Sequence, residues 1–334
     1  MKPYVIGIDM GGTNTVFGIV DARGVVIASS SIKTAKHNNF DDYIDELHEE
    51  LTRLVKANDA EGKVHGIGIG APNANYYTGE ITDGVNLPWP TPIPLARKIE
   101  EKFGIPCAIT NDANAAAIGE MTYGTARGMK DFIMITLGTG VGSGIVINGA
   151  VVYGHDGFAG ELGHMIVKRT NGRLCGCGRA GCLEAYCSAT GVARTAREFL
   201  EIRNEPSLLR NIPIDEITSK DVYDAAIAGD KIAKEIFEYT GTILGEAMAD
   251  MTVFSSPQAF ILFGGLAKSG ELLMRPLREA MNRSMLSIFK GKPKVLLSEL
   301  KDADAAILGA SALGWEAKPM AAPAAAAPEA GPPD

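Results

Sequence analysis

An α/β fold of two similar lobes facing each other across a cleft is the architecture this sequence predicts. Three observations carry the expectation. Short apolar runs that read as strands alternate with periodic or alanine-rich runs that read as helices. The unit strand, glycine turn, strand occurs twice, as VIGI-DMGGTN-TVFGIV and again as FIMIT-LGTGVGSG-IVING. The repeat is one of structure, not of side chains. Glycine is also abundant, at 39 of 334 residues, against a usual share of roughly 7%. That excess predicts many tight turns and close backbone approaches.

Each element has its own signal. Residues 4–8 (YVIGI) read as a buried strand ending at Asp9, GGTN as a turn, and VFGIV as the return strand to a second turn at residues 21–24. VVIASSSIK continues as a third strand. Three linked strands at the start predict an antiparallel edge on a mixed sheet. Residues 40–57 are helical, because Tyr43, Ile44, Leu47, Leu51, Leu54 and Val55 recur at spacings of three and four. VHGIGI (64–69) is a strand meeting a GAPN turn, and prolines at 88, 90, 92 and 94 break the chain before a helix at about 94–103. CAIT (107–110) is a strand running into Asn111 and Asp112, followed by a small-residue helix. FIMITL (132–137) opens the second unit; residues 138–142 form its glycine turn, and IVINGAVV returns. Helices are expected over 188–202, over 220–254 with a break near Gly229, and over 271–288. AFILF (259–263) and VLLSEL are strands, and DADAAILGASALG a final helix. The expected lobes are a smaller one over 1–115, completed by the helix at 302–314, and a larger one over 116–301. After that helix, prolines at 319, 323, 328, 332 and 333 mark an Ala/Pro-rich tail. It has too little apolar side chain to offset its ordering entropy, so 315–334 is expected to be disordered.

Composition bounds the function. Hydrophobic residues make up 46% and charged residues 22%, an ordinary globular balance that leaves ample core. The start, MKPYVIGIDMGG, lacks a cleavable signal pattern, and no apolar run reaches the ~20 residues of a membrane span. The expected location is cytoplasmic, with no membrane partner. The formal charge is -8, and no basic stripe offers a nucleic-acid surface, so no nucleic-acid partner is expected.

An acid at a strand end followed by GGTN is a candidate phosphate site. Gly11 and Gly12 can expose backbone N–H groups to an anion, Thr13 can donate a hydroxyl, and Asp9 suits Mg²⁺, which prefers hard oxygen ligands. Gly138, Thr139, Gly140 and Gly142 offer the same chemistry from the second unit. An ordinary glycine hairpin is the alternative for each turn. Two such turns facing one cleft favour a nucleotide with several phosphates, although neither is a P-loop. Gly264 and Gly265, directly after an apolar strand, can admit a base and ribose; a plain strand-to-helix turn is their alternative. Asp112 sits at a strand end beside the expected cleft, where open α/β sheets place chemistry. Phosphoryl transfer to an alcohol needs a carboxylate there to accept the proton. Helix capping is its other reading.

The sharpest signal is CGCGRAGCLEAYC, which holds four of the five cysteines, with His164 upstream. His164, Cys175, Cys177 and Cys182 make a Cys₃His set for zinc. Without secretory signals, a metal outranks disulfides. Cys187 is the competing fourth ligand; it lies in a helical run where a thiol acts as a small core residue, which favours His164. Four protein ligands leave no open position, so the zinc is expected to be structural and to brace Glu161, His164 and Glu184. With Asn86, Asn111 and Asp112, these supply the amides and carboxylates that sugar hydroxyls need.

Taken together, IDMGGTN, GVNLPW, NDANAAAIGE, LGTGVGSGIVINGA, GELGH, CGCGRAGCLE and ILFGG resemble the ROK family (repressor, open reading frame, kinase) over nearly the whole chain to about residue 314. The resemblance implies an actin-like ATPase, ribonuclease-H-like fold and a sugar kinase using ATP, Mg²⁺ and structural Zn²⁺. It implies Asp112 as base, and Asn86, Asn111, Glu161, His164 and Glu184 as sugar contacts. The zinc ligands would be His164, Cys175, Cys177 and Cys182. Asp9 to Thr13 and Gly138 to Gly142 would handle phosphates, and Gly264 and Gly265 adenosine. It also implies a homodimer. Glucose phosphorylated at O6 is the first expectation; N-acetylmannosamine, fructose, or a sugar-sensing regulator are the alternatives. Many members read PG where this chain has Pro72 and Asn73. Members that act as repressors carry an N-terminal DNA-binding domain, whereas this sequence opens on the first strand.

Overall fold

The computed structural model describes residues 2–82, 87–300 and 302–319. Ten strands and nine α-helices are described: β1 Tyr4–Met10, β2 Thr15–Asp21, β3 Val26–Ile32, α1 Phe40–Ala57, β4 Val64–Gly70, α2 Leu95–Phe103, β5 Cys107–Thr110, α3 Asp112–Tyr123, β6 Phe132–Leu137, β7 Val141–Ile147, β8 Ala150–Val151, α4 Glu184–Cys187, α5 Ala189–Ile202, α6 Ser219–Ile227, α7 Lys231–Ser255, β9 Ala259–Phe263, α8 Glu271–Ser284, β10 Lys294–Leu297 and α9 Asp302–Gly314. None of the described helices is long and apolar enough to cross a membrane.

The strands form two five-stranded sheets, ordered β3-β2-β1-β4-β5 and β10-β9-β6-β7-β8. In each, the first three strands in sequence form antiparallel pairs, and the next two add in parallel on the other side of the first strand. The two sheets therefore share one topology, which accounts for the repeated strand–turn–strand unit and gives the expected two-lobed, actin-like ATPase architecture. Each sheet has its own core. Tyr43, Leu47 and Leu51 of α1 pack under the first, and the long α7 with α8 covers the second.

Glycines set how closely helices approach the sheets. A Cβ on Gly68 of β4 would lie 1.9 Å from the Ala310 carbonyl oxygen of α9, and one on Gly7 of β1 would lie 2.1 Å from that of Ile307. Helix α9 thus lies directly on the first sheet. It also crosses α3 with backbone against backbone, since a Cβ on Gly119 would lie 2.7 Å from the Gly309 Cα. Helix α3 in turn contacts β6 and β7 of the second sheet, so the α3–α9 pair joins the lobes.

Three sequence expectations are revised. The second glycine turn is shorter than 138–142: Val141 already pairs with Leu137, so β7 starts there. Helix α8 stops at Ser284 rather than 288, because Met285 turns to an extended conformation as the C-cap. Packing also continues beyond 314, since the Trp315 indole donates to the Tyr123 hydroxyl (2.7 Å) and Ala317 is buried. Residues 320–334 of the expected disordered tail, and Asn86, lie outside the described residues.

Candidate active site between the lobes

The cleft is built around the N-terminus of α3. Strand β5 delivers Asn111 and Asp112, and the two share the work the sequence left open. Asn111 is the N-cap: its Oδ1 accepts the Asn114 N–H at 2.7 Å. Asp112 is therefore free of capping and sits at the first helical position, with one oxygen accepting the Ala113 N–H at 2.8 Å. Asn111, Asp112, Gly138, Thr139, Gly140, Gly142, Glu161, His164, Glu184 and Gly264 all line one cavity of about 410 Å³, together with Pro72 and Asn73.

Asp9 lines a second space behind it, which shares Asp112, Thr136 and Phe263 with the first. Burial, and then the Asp112 charge, push the Asp9 carboxyl up to about 6. Burial also raises Asp112 and Glu161 above the usual carboxylate range. Two carboxyls on one space that disfavour joint ionisation are a donor set suited to a divalent cation. Gly11, Gly12 and Thr13 form the β1–β2 turn, where Gly11 N–H donates to the Asn14 carbonyl (3.0 Å), but they line neither space. Gly265 lines neither space either.

On the opposite wall, Gly138 N–H closes its turn onto the Gly140 carbonyl at 3.1 Å. Val141 N–H donates to Glu184 Oε2 at 2.9 Å, and Gly142 N–H to Thr136 Oγ1 at 3.1 Å. Gly142 is thus a strand residue with its N–H engaged, and its missing Cβ leaves room for Ala113 of α3. Gly264 adopts φ +103° with its α-carbon against the Leu137 backbone, so this position requires glycine.

Glu161 and His164 lie on the segment entering and forming a short 3₁₀ turn over Leu162–His164. The sequence reading missed what holds that segment. Ser143 of β7, buried, donates its hydroxyl to the Gly160 carbonyl and accepts the Leu162 N–H at 3.1 Å. A lone hydroxyl in an otherwise apolar or glycine strand, VGSGIVI, was the available signal. Gly163 packs on the Val141 carbonyl with no room for a Cβ.

Beyond His164, a knuckle folds back through Gly178 and Gly181, both with positive φ. It brings His164, Cys175, Cys177 and Cys182 together, with one donor atom from each within 4.8 Å of the others. Cys175 Sγ lies 3.8 Å from His164 Nδ1, and Cys177 Sγ 3.6 Å from Cys182 Sγ. A tetrahedral zinc with bonds of ~2.0–2.3 Å has ligand–ligand edges of ~3.5–3.8 Å, and these two edges match that geometry. Cys187 instead points to the Thr240 carbonyl within the second core. Glu184 joins the two regions: Oε1 faces Cys175 Sγ at 3.4 Å while Oε2 holds the glycine turn.

Comparison with known proteins places this geometry. A sequence model of the ROK family matches residues 5–317. The chain is 34% identical over 324 residues to a glucokinase of Halalkalibacterium halodurans, covering 94% of this chain and 95% of that one. It resembles the crystal structure of a ROK family glucokinase from Streptomyces griseus in complex with glucose and AMPPNP: TM-score 0.74, 34% identity, 94% of this chain and 99% of that chain covered. A xylose repressor of Caldicellulosiruptor bescii also matches, at 29% identity over 92% of this chain and 77% of its own length. The match of nearly the whole chain to the family model, the shared topology of its two sheets and its likeness to a solved member establish that the chain belongs to the ROK family.

Proposed function

We propose that the chain is an ATP-dependent sugar kinase that transfers the γ-phosphoryl group to a hexose, with D-glucose at O6 as the first substrate. The observation that carries the reading is the position of Asp112. A carboxyl open to the cleft, relieved of helix capping by Asn111, lines a cavity together with a glycine turn and with Glu161, His164 and Glu184. Asp112 accepts the proton of the attacking hydroxyl, the role phosphoryl transfer to an alcohol requires. Asn111, Glu161, His164 and Glu184 bind the remaining hydroxyls, joined by Asn86 on the family resemblance. The turn at residues 138–140, the β1–β2 turn and the Gly264 corner take the nucleotide. Asp9 holds Mg²⁺, directly or through water; bound there, the ion neutralises phosphate charge. The glucokinase relatives favour glucose over N-acetylmannosamine or fructose.

Zinc bound by His164, Cys175, Cys177 and Cys182 is structural, and fixes His164 Nδ1 so that the ring's other nitrogen is left for the cavity. A homodimer, expected from the resemblance, is checked by light scattering. The central test is a coupled ADP-release assay across hexoses and N-acetylhexosamines with Mg·ATP. Glucose-dependent ADP formation is the expected result. Activity on another sugar alone would keep the kinase and reject the substrate, while ADP from no sugar would reject the enzyme.

A further inference from the structure

We propose that Asn75 is a positioning residue of the sugar site: reaching over from the first sheet's side, it holds the glycine-rich segment that presents Glu161. The inference rests on the sugar-kinase reading above. That segment, residues 153–160, leaves β8 of the second sheet and leads directly into Glu161. Gly154, Gly157 and Gly160 recur along it at every third position, with φ of +77°, +90° and +97°. Three left-handed glycines let the chain take this path, but they leave it with little stiffness of its own. Within it, the Ala159 N–H donates to the Tyr153 carbonyl at 3.0 Å, a bond that shapes the loop without tying it to either sheet. The position of Glu161 is therefore set by what grips the segment from outside. Ser143 of the second sheet grips one end, at Gly160 and Leu162.

The other end is gripped by the loop between β4 and α2, which follows Pro72 of the cavity wall. Asn75 Nδ2 donates to the Asp156 carbonyl at 2.6 Å, and the Tyr77 hydroxyl to the Gly154 carbonyl at 2.9 Å. The rings of Tyr76 and Tyr153 stack, with centroids 4.1 Å apart and planes 3° from parallel. Tyr76 also packs on Ile118, Ala312 and Leu313, where α3 meets α9, so the grip is rooted in the joint between the lobes. Asn75 supplies the sheltered bond: it is 3% exposed, whereas Tyr77 is 56% exposed. Losing a buried partner costs more than losing one that water can replace. The carboxamide has two separate tasks. Its Oδ1 shapes its own turn, accepting the Tyr77 N–H (2.9 Å) and the Thr78 N–H (3.2 Å), while its Nδ2 reaches across. Gly157 leaves the room for that approach, since a Cβ there would lie 2.6 Å from Asn75 Nδ2.

Asn75→Asp separates the two tasks. It keeps the acceptor for the two N–H groups, which favour the ionised carboxyl, and removes the donor to Asp156. Tyr77→Phe removes the second bond across. Sugar calorimetry, steady-state kinetics and Tm are measured for wild type, both variants, Glu161→Gln, and Asn75→Asp combined with Glu161→Gln. The expected result for Asn75→Asp is a sugar Kd and KM raised about 3- to 10-fold, the scale of one neutral hydrogen bond. Its kcat at saturating sugar and its KM for ATP should be unchanged, because Asp112 and the turn at residues 138–140 are untouched. Tyr77→Phe should move the same way by less. In the Glu161→Gln background the Asn75→Asp penalty should largely vanish, the non-additivity of a residue that acts through another. Wild-type sugar Kd and KM in Asn75→Asp would overturn the proposal. So would a penalty that adds in full to that of Glu161→Gln, or one that shifts kcat, both KM values and Tm together, as a loosened fold would. Wild type that neither binds nor phosphorylates any sugar would defeat the kinase reading itself, and the proposal with it. Wild type that handles sugar just as Asn75→Asp does would defeat only the proposal.

Discussion

Asn111 and Asp112 could each cap α3, but only the Asp112 carboxylate could accept a proton. The sequence NDAN offers two adjacent residues able to cap a helix, and periodicity cannot choose between them. The backbone chooses, because Asn111 is extended at the N-cap while Asp112 is already helical. An Asp112→Asn enzyme should therefore fold normally and bind sugar, yet lose roughly 10²–10⁴-fold in turnover, the usual share of a general base. Steady-state kinetics beside sugar calorimetry separate the two effects, and wild-type turnover would reject the role. The neighbouring acid gives a pH prediction. Asp9 has its folded pKa raised to about 6, first by burial and then by Asp112. A raised carboxyl stabilises the fold fully below its unfolded value, and that contribution is lost as pH rises through the folded value. In the free protein, Asp9→Asn should thus gain Tm relative to wild type above pH about 6 and lose that advantage near pH 4. Scanning calorimetry from pH 4 to 8 checks the sign. The Cys/His cluster was legible because most of its spacing is local: three cysteines within eight residues can converge through glycine turns alone. Ser143 was not, since its partners at Gly160 and Leu162 lie far along the chain.

Strands and helices were largely readable from alternation and three-four spacing, with α1, β5 and β6 matching their expected limits. What spacing could not convey was why so many strand positions are glycine. Gly7 and Gly68 are seats for α9, chosen at long range by a helix more than two hundred residues away. Gly68→Val should cost about 3 kcal/mol, because a Cβ cannot fit against a backbone oxygen by a change of rotamer. Denaturant unfolding measures the loss, and an unchanged midpoint would refute the seating argument. The cysteine knuckle gives a second prediction for an element. Cys177→Ser should lose the metal and weaken sugar binding through His164, whereas Cys187→Ser, in the core beside Thr240, should retain the metal. Elemental analysis with X-ray absorption reads both. A four-sulfur shell lost in Cys187→Ser and kept in His164→Asn would reassign the fourth ligand.

The whole molecule has its candidate cavity lined by Pro72 and Asn73 from one lobe and by Glu161, His164 and Glu184 from the other. A sugar bridging those walls should draw them together and exclude water, limiting wasteful ATP hydrolysis. X-ray scattering should show a smaller radius of gyration with sugar, and identical free and bound profiles would argue against closure. Duplication of one sheet topology was visible in the repeated strand–turn–strand unit, but its assembly through α3 and α9 was not, since small-residue helices carry no directional pattern. The glycine contact where those helices cross has a mechanical consequence. Gly119 and Gly309 bring the two backbones together, and Ile118 against Ala312 and Leu313, with the Trp315 indole on the Tyr123 hydroxyl, keys the crossing beside them. A joint so keyed resists turning. Any change in opening angle should then leave the α3–α9 crossing angle as it is and fall on the segments either side of it, which structures with and without sugar would reveal.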